Sequence, residues 1–177
     1  MSMIQSTLEL IRSKLNDRLM VEDRRGEDAV ILSNIVDLNG VPFPDAQDKV
    51  VVCLANIQHE EIVSAQSTDP VVERERPGVL PPPLYIDLFV LFYANFSGLR
   101  YRDGLGMISQ TIAYFQQNPV FTHDNLPSLH PRIDKLRFEF TSLDLSSLHC
   151  LMQNMGAKYL PSAYYKVRLI PFREDMG

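Results

Sequence analysis

Leu84-Tyr85-Ile86-Asp87-Leu88-Phe89-Val90-Leu91-Phe92-Tyr93-Ala94-Asn95-Phe96 is the stretch on which the reading of this chain turns. Aromatic and β-branched side chains dominate it, which makes it the strongest strand candidate in the sequence. Asp87 and Asn95 interrupt it, and it falls short of the about 20 apolar residues that a membrane helix needs. No membrane insertion is therefore expected. Asp87 is the exception inside the strand and requires either a partner or solvent.

Upstream of this strand the character changes sharply. Residues 64–75 are polar, and Pro77-Gly78 then leads to Pro81-Pro82-Pro83. Proline lacks an N–H and fixes φ, so the segment forms neither a central strand nor an ordinary helix. It reads as a Pro-rich loop at about residues 64–83, and loops of that length inside a compact domain are usually functional or disordered. Further upstream, Lys49 to Ile57 carries a nearly continuous β-branched run, a strand buried on both faces. Ala29 to Val36 is another strand, closed by the turn residues Asp37-Leu38-Asn39-Gly40. The short linker between these two predicts an antiparallel pair. At the start of the chain, Ile4, Leu8, Ile11, Leu15 and Leu19 recur at helical spacing.

Downstream, Leu105, Ile108, Ile112 and Phe115 predict a helix stopped by Asn118-Pro119. A loop over 120–131 follows, and then the alternating Lys135 to Phe140, a half-solvated strand. Ser142 or Asp144 caps a short helix through Leu145, Leu148, Leu151, Met152 and Met155, with Gly156 just past its end. Ala163 to Ile170 is the last strand, with Lys166 and Arg168 opposite Val167 and Leu169. The order α β β, loop, β α β α β gives an α/β (α+β) fold. It predicts a single domain over 1–177, a mixed sheet of about five strands with helices packed on it. The central strand–helix–strand suits a right-handed parallel crossover.

The 177 residues include 17 Lys+Arg and 22 Asp+Glu, a formal charge of −5. That balance argues against a nucleic-acid binder, which needs a basic surface. Apolar residues at 45% supply enough burial to exclude global disorder. The first residues hold no basic start followed by an apolar run, so no secretory signal is read and synthesis in the cytoplasm is expected. Cys53 and Cys150 sit in apolar contexts and read as two buried thiols.

The catalytic motifs fail one by one. His59-Glu60-Glu61-Ile62-Val63 starts like a zincin helix, but Val63 stands where the second histidine must be. His149 and Cys150 are adjacent, and adjacent helix residues do not face each other, so Cys150 reads as packed and His149 as solvent-edge. Gly104-Leu105-Gly106 lacks the third glycine of a dinucleotide fingerprint and reads as a helix start or a close helix contact. His123, Asp124 and His130 match no ordinary zinc spacing. Arg24-Arg25 and Arg74-x-Arg76 are interleaved with acids and read as a solvated or partner-facing surface. No catalytic residue, metal ligand or cofactor site is assigned.

Three stretches carry a resemblance: Leu84 to Phe96, Tyr114-Phe115-Gln116-Gln117-Asn118-Pro119-Val120-Phe121-Thr122, and Gly156-Ala157-Lys158-Tyr159-Leu160-Pro161-Ser162-Ala163-Tyr164-Tyr165-Lys166-Val167-Arg168. In this order they resemble the tail-terminator (cap) family of extracellular contractile injection systems. These are phage-tail-like particles such as the antifeeding prophage and the Photorhabdus virulence cassettes. The resemblance implies a non-enzymatic role: a homo-hexameric ring closing the end of the inner tube and sheath distal to the baseplate. Its implied partners are further copies of itself, the tube protein, the sheath protein and the tape-measure protein. Two features depart from the pattern. Met152 lies near a position where many relatives carry Trp, and some relatives continue into a further C-terminal domain.

The implied role gives the Pro-rich loop a purpose, since restricted φ angles lower the entropy cost of ordering a strap. The candidate partner-contact residues are Val71, Glu73, Arg74, Glu75, Arg76, Val79 and Leu80. Two alternatives stay open at this point: a baseplate or sheath-adaptor subunit of the same particle, and a small metal-binding enzyme using His123, Asp124 and His130.

Overall fold

Strand alternation and helix periodicity sort the apolar side chains onto two sides of one sheet. The computed structural model describes residues 2–21, 26–60 and 84–172. In chain order these form α1 (Met3–Met20), β1 (Val30–Leu32), a 3₁₀ turn (Pro44–Ala46), β2 (Lys49–His59) and β3 (Leu84–Asn95). There follow a second 3₁₀ turn (Gly98–Arg100), α2 (Tyr101–Gln117), β4 (Val120–Thr122), β5 (Lys135–Phe140), α3 (Leu145–Asn154) and β6 (Ser162–Phe172). The sheet order is β1-β2-β3-β6-β5-β4. β1 and β2 run parallel, and every other neighbouring pair is antiparallel.

Alternate residues of each central strand face opposite cores. Val50, Val52, Val90, Phe92, Ala163 and Tyr165 point to the first core with Leu8, Ile11, Leu15 and Leu19 of α1 and Met107, Ile108 and Phe115 of α2. Val51, Cys53, Leu91 and Tyr93 point to the second core, where Ile35, Ala46 and Met152 close over them. Burial of both faces is why β2 and β3 read as continuous apolar runs rather than as alternating ones. The helix ends follow local chemistry. Asp144 accepts from the Ser147 N–H at 2.7 Å and caps α3. Gly156, at φ +65°, takes the left-handed position just past its last turn.

Several expectations need correction. β1 and β2 pair in parallel because residues 33–48 do not form a hairpin between them. Asp37 accepts from the Asn39 and Val41 N–H groups at 2.8 Å each, and a bridge joins Val36 to Pro42. This folded segment lays Ile35, Val36 and Phe43 on the second core and returns the chain to the end of the sheet where β1 began. β1 itself shrinks to Val30–Leu32. The sheet has six strands rather than about five, because β4 forms within the stretch read as loop. The central crossover does join two parallel strands, β3 and β5, but antiparallel β6 lies between them. Finally, Cys53 is buried whereas Cys150 is exposed, since α3 turns Leu148, Leu151 and Met152 to the sheet and leaves position 150 outside.

Candidate functional site

The three strand ends that meet beyond His59 carry the densest electrostatics of the described chain. A bulge in β6 puts Arg168 and Leu169 opposite the single residue Asp87 of β3. The extra residue brings Ile170 to join Val167 in the first core and leaves Lys166 and Arg168 on the opposite face. Asp87, which the sequence marks as needing a partner, finds Lys166 Nζ at 2.9 Å. Arg168 donates from Nε to Glu60 Oε2 at 2.7 Å and from Nη1 to Glu139 Oε1 at 3.0 Å. The Glu60 and Asp87 side chains are each 1% exposed.

Burial pushes the Asp87 carboxyl above its usual range; the bond from Lys166 works against that shift, and the neighbouring Glu60 adds to it. Hydrogen bonds to Glu60 and Glu139 hold the Arg168 guanidinium still more firmly charged. The sequence reading of His59-Glu60-Glu61 ends at the failed zincin pattern and does not reach this network. The signal was present in the alternation of Lys166, Val167 and Arg168, which places two cations on one face of β6. What it lacked was the strand order that sets β6 beside β3.

A second feature lies at the other end of the same face. Leu145, Leu148, His149, Met152, Gln153, Ala157 and Tyr159 line a groove of about 370 Å³ along α3. Leu145 at its mouth is 86% exposed, Tyr159 63% and the nearby Phe140 56%. Large apolar side chains at that exposure, gathered in one place, mark surfaces that meet other molecules. His149 and Cys150 are both exposed, and burial pushes the Cys53 thiol up to about 12, which keeps it neutral and unreactive.

The remaining sequence candidates scatter. His123 and Asp124 are exposed in a turn, and His130 Nδ1 accepts from the Arg132 N–H at 3.2 Å. Among the described residues no group of three or more His, Cys, Asp or Glu is placed to hold a metal, and none of the described helices is long and apolar enough to cross a membrane. Gly104 and Gly106 lie within α2; Gly104 packs on Phe96 and Gly106 faces open space. The partner-contact candidates Val71, Glu73, Arg74, Glu75, Arg76, Val79 and Leu80 lie outside the described residues.

Comparison with known proteins gives one family and a consistent fold. The family described as the Pvc16 N-terminal domain matches residues 6–176. Among solved structures, the sheath/tube terminator of the PVC extracellular contractile injection system, in its extended state, is 16% identical with a TM-score of 0.59. The alignment covers 98% of this chain and 58% of that one. The tube-terminating cap of the anti-feeding prophage is 18% identical with a TM-score of 0.51, over 93% of this chain and 55% of its own. The chain thus spans a little over half the length of either structure. No curated protein matches. At these identities the two structures speak for the fold, and the family match speaks for descent: the chain belongs to the Pvc16 N-terminal domain family, the tail-terminator group to which its three diagnostic stretches point.

Proposed function

We propose that this protein is a structural terminator of a contractile injection particle. In this reading copies of the chain form a hexameric ring on the baseplate-distal end of the inner tube and sheath. The observation that carries the reading is the family match over residues 6–176. The likeness of the whole described fold to a sheath/tube terminator and to a tube-terminating cap supports it. So does the exposed apolar surface around α3, which suits a protein that works by contact rather than by turnover.

The physics of the role is simple. A tube grows because each ring presents a head-to-tail surface to the next, and growth continues until something masks it. A terminator matches the last ring on one side and offers no docking site on the other. The tube protein, the sheath protein and neighbouring copies are the proposed partners, with the tape-measure protein inside the tube. Val71, Glu73, Arg74, Glu75, Arg76, Val79 and Leu80 are the proposed contact residues of the Pro-rich segment. Assembly takes place in the cytoplasm, and the chain then becomes part of the particle.

Deleting the gene and imaging the particles tests the role. The expected outcome is unstable or abnormally long tubes on normal baseplates. Correctly terminated particles would rule the role out, and damaged baseplates would favour an adaptor subunit instead. Solution mass of the purified chain, alone and with tube protein, tests the ring. Deleting residues 71–83 should weaken ring assembly while the fold is kept; undiminished capping would remove the segment from the interface.

A further inference from the structure

The groove along α3 does not end with its own lining. Through Leu148 and Tyr159 it continues into a second hollow of about 220 Å³, where Phe140 and Tyr164 add their rings and Leu91 forms part of the wall. Leu145, Tyr159 and Phe140 stand exposed along this course. An aromatic-lined, apolar channel of this kind suits proline-rich chain, which is extended before it binds and loses little entropy on docking. Three consecutive prolines occur once in the sequence, in Val79-Leu80-Pro81-Pro82-Pro83, and that run carries no charge.

Chain length decides whose groove the run can fill. It enters β3 at Leu84, which pairs with Phe172 of β6. The groove lies toward the other end of the same strands, by Leu91 and Tyr93, which pair with Tyr164 and Ser162. The rise of the strand puts about 25 Å between those ends. Counting back from Leu84, fully extended chain reaches at most about 14 Å to Leu80 and about 18 Å to Val79. The prolines lie closer still. The run therefore falls short of the groove in its own chain.

We propose that residues 79–83 of one copy lie in the α3 groove of a neighbouring copy, an inference that rests on the ring reading and names its contact. Val79 and Leu80 supply apolar bulk to the hollow, and the prolines pack on the rings of Tyr159 and Phe140. Each copy gives one segment and receives one. Such a contact is head-to-tail, the kind that propagates around a ring.

Cross-linking between full-length chains tests the pairing. Two chains with different tags, both Cys150→Ser to remove the exposed native thiol, carry Leu80→Cys and Leu145→Cys respectively. Mixed with purified tube protein and oxidised, they should form a disulfide that joins one tag to the other, since the bond needs Cα atoms within about 7 Å. Val21→Cys, also exposed but at the end of α1 on the other side of the sheet, should not pair with Leu80→Cys. A chain carrying both Leu80→Cys and Leu145→Cys, diluted until monomeric, should not close on itself; an internal disulfide there overturns the proposal. Leu80→Ser and Leu145→Ser should each weaken self-association about tenfold or more, the loss expected of one buried leucine, and the exposure of Leu145 leaves the fold intact. Absence of the cross-tag disulfide overturns the pairing; if rings still form and cap tubes, the terminator reading stands. Correctly terminated particles in the gene deletion remove the terminator reading, while a cross-tag disulfide upholds the pairing by itself.

Discussion

Gly104 stands where the first turn of α2 crosses Phe96, and a Cβ built on it would meet the Phe96 Cβ at 2.8 Å. Phe96 is buried, and its Cβ moves only with its backbone, so the contact has no inexpensive escape. Gly104→Ala should cost about 1–3 kcal/mol through overpacking, against a return of at most about 1 kcal/mol in helix propensity. Gly106→Ala is the control, since nothing lies within 4 Å of its Cβ position and only the propensity gain remains. Thermal melts of the two variants should move in opposite directions; a shared direction would mean that packing on Phe96 does not set the requirement. Asn16 is a second residue with an outsized role. Its Oδ1 accepts from the Ala29 and Val30 N–H groups at 2.8 and 3.0 Å, which ties α1 to the start of β1. Asn16→Ala leaves two buried donors without partners and should cost about 2–4 kcal/mol. Urea unfolding checks this, and a loss within about 0.5 kcal/mol, the range of an ordinary surface change, would show that solvent takes over the bonds.

β4 shows how an element that the sequence hides can be held by one side chain. Its three residues are too few to display a period, so Val120–Thr122 could not be told from loop. In the fold, Asn125 Oδ1 accepts from the Thr122 N–H at 2.8 Å and its Nδ2 donates to the Val120 carbonyl at 3.0 Å. The side chain thus occupies the outer rim of the strand as a neighbouring backbone would, and blunts a sheet edge. Asn125→Ala should expose both groups, speed amide exchange at Thr122 and leave β3 and β6 unchanged. Unaltered exchange at Thr122 would mean that the edge needs no such cover. The contrast with β3 is instructive. Leu84 to Phe96 was legible because both cores press on it and apolar side chains must run its whole length. The α2 stop at Asn118-Pro119 and the α3 limits at Asp144 and Gly156 were equally legible, since caps are local chemistry. The direction of β1 was not, because it depends on how residues 33–48 fold over the second core. Glu60 likewise drew its role from β6, which follows it by most of the chain and stands next to β3 only in three dimensions.

Across the whole molecule the two cores are unequal, and this orders how it comes apart. The first core joins α1 and α2 to all six strands and contains a continuous aromatic cluster. Phe115 stacks on Phe138 with ring centroids 4.4 Å apart and also meets Phe92 at 5.0 Å and Tyr165 at 5.2 Å. The second core holds α3 by Met152, its one fully buried side chain, with Leu148 and Leu151 partly buried beside it. Amides in an element with so little burial open without global unfolding. Met152→Ala should therefore remove protection from α3 while the amides of α1, β3 and α2 keep theirs. Phe115→Ala, which empties the junction of four elements, should cost about 3–5 kcal/mol and lower protection everywhere at once. Native-state hydrogen exchange on the two variants separates these cases. If α3 exchanges only with global unfolding in the wild-type chain, the second core is as firmly closed as the first. The expected local opening instead makes α3, with the apolar groove along it, the part of the fold that has most to gain when a neighbour covers it.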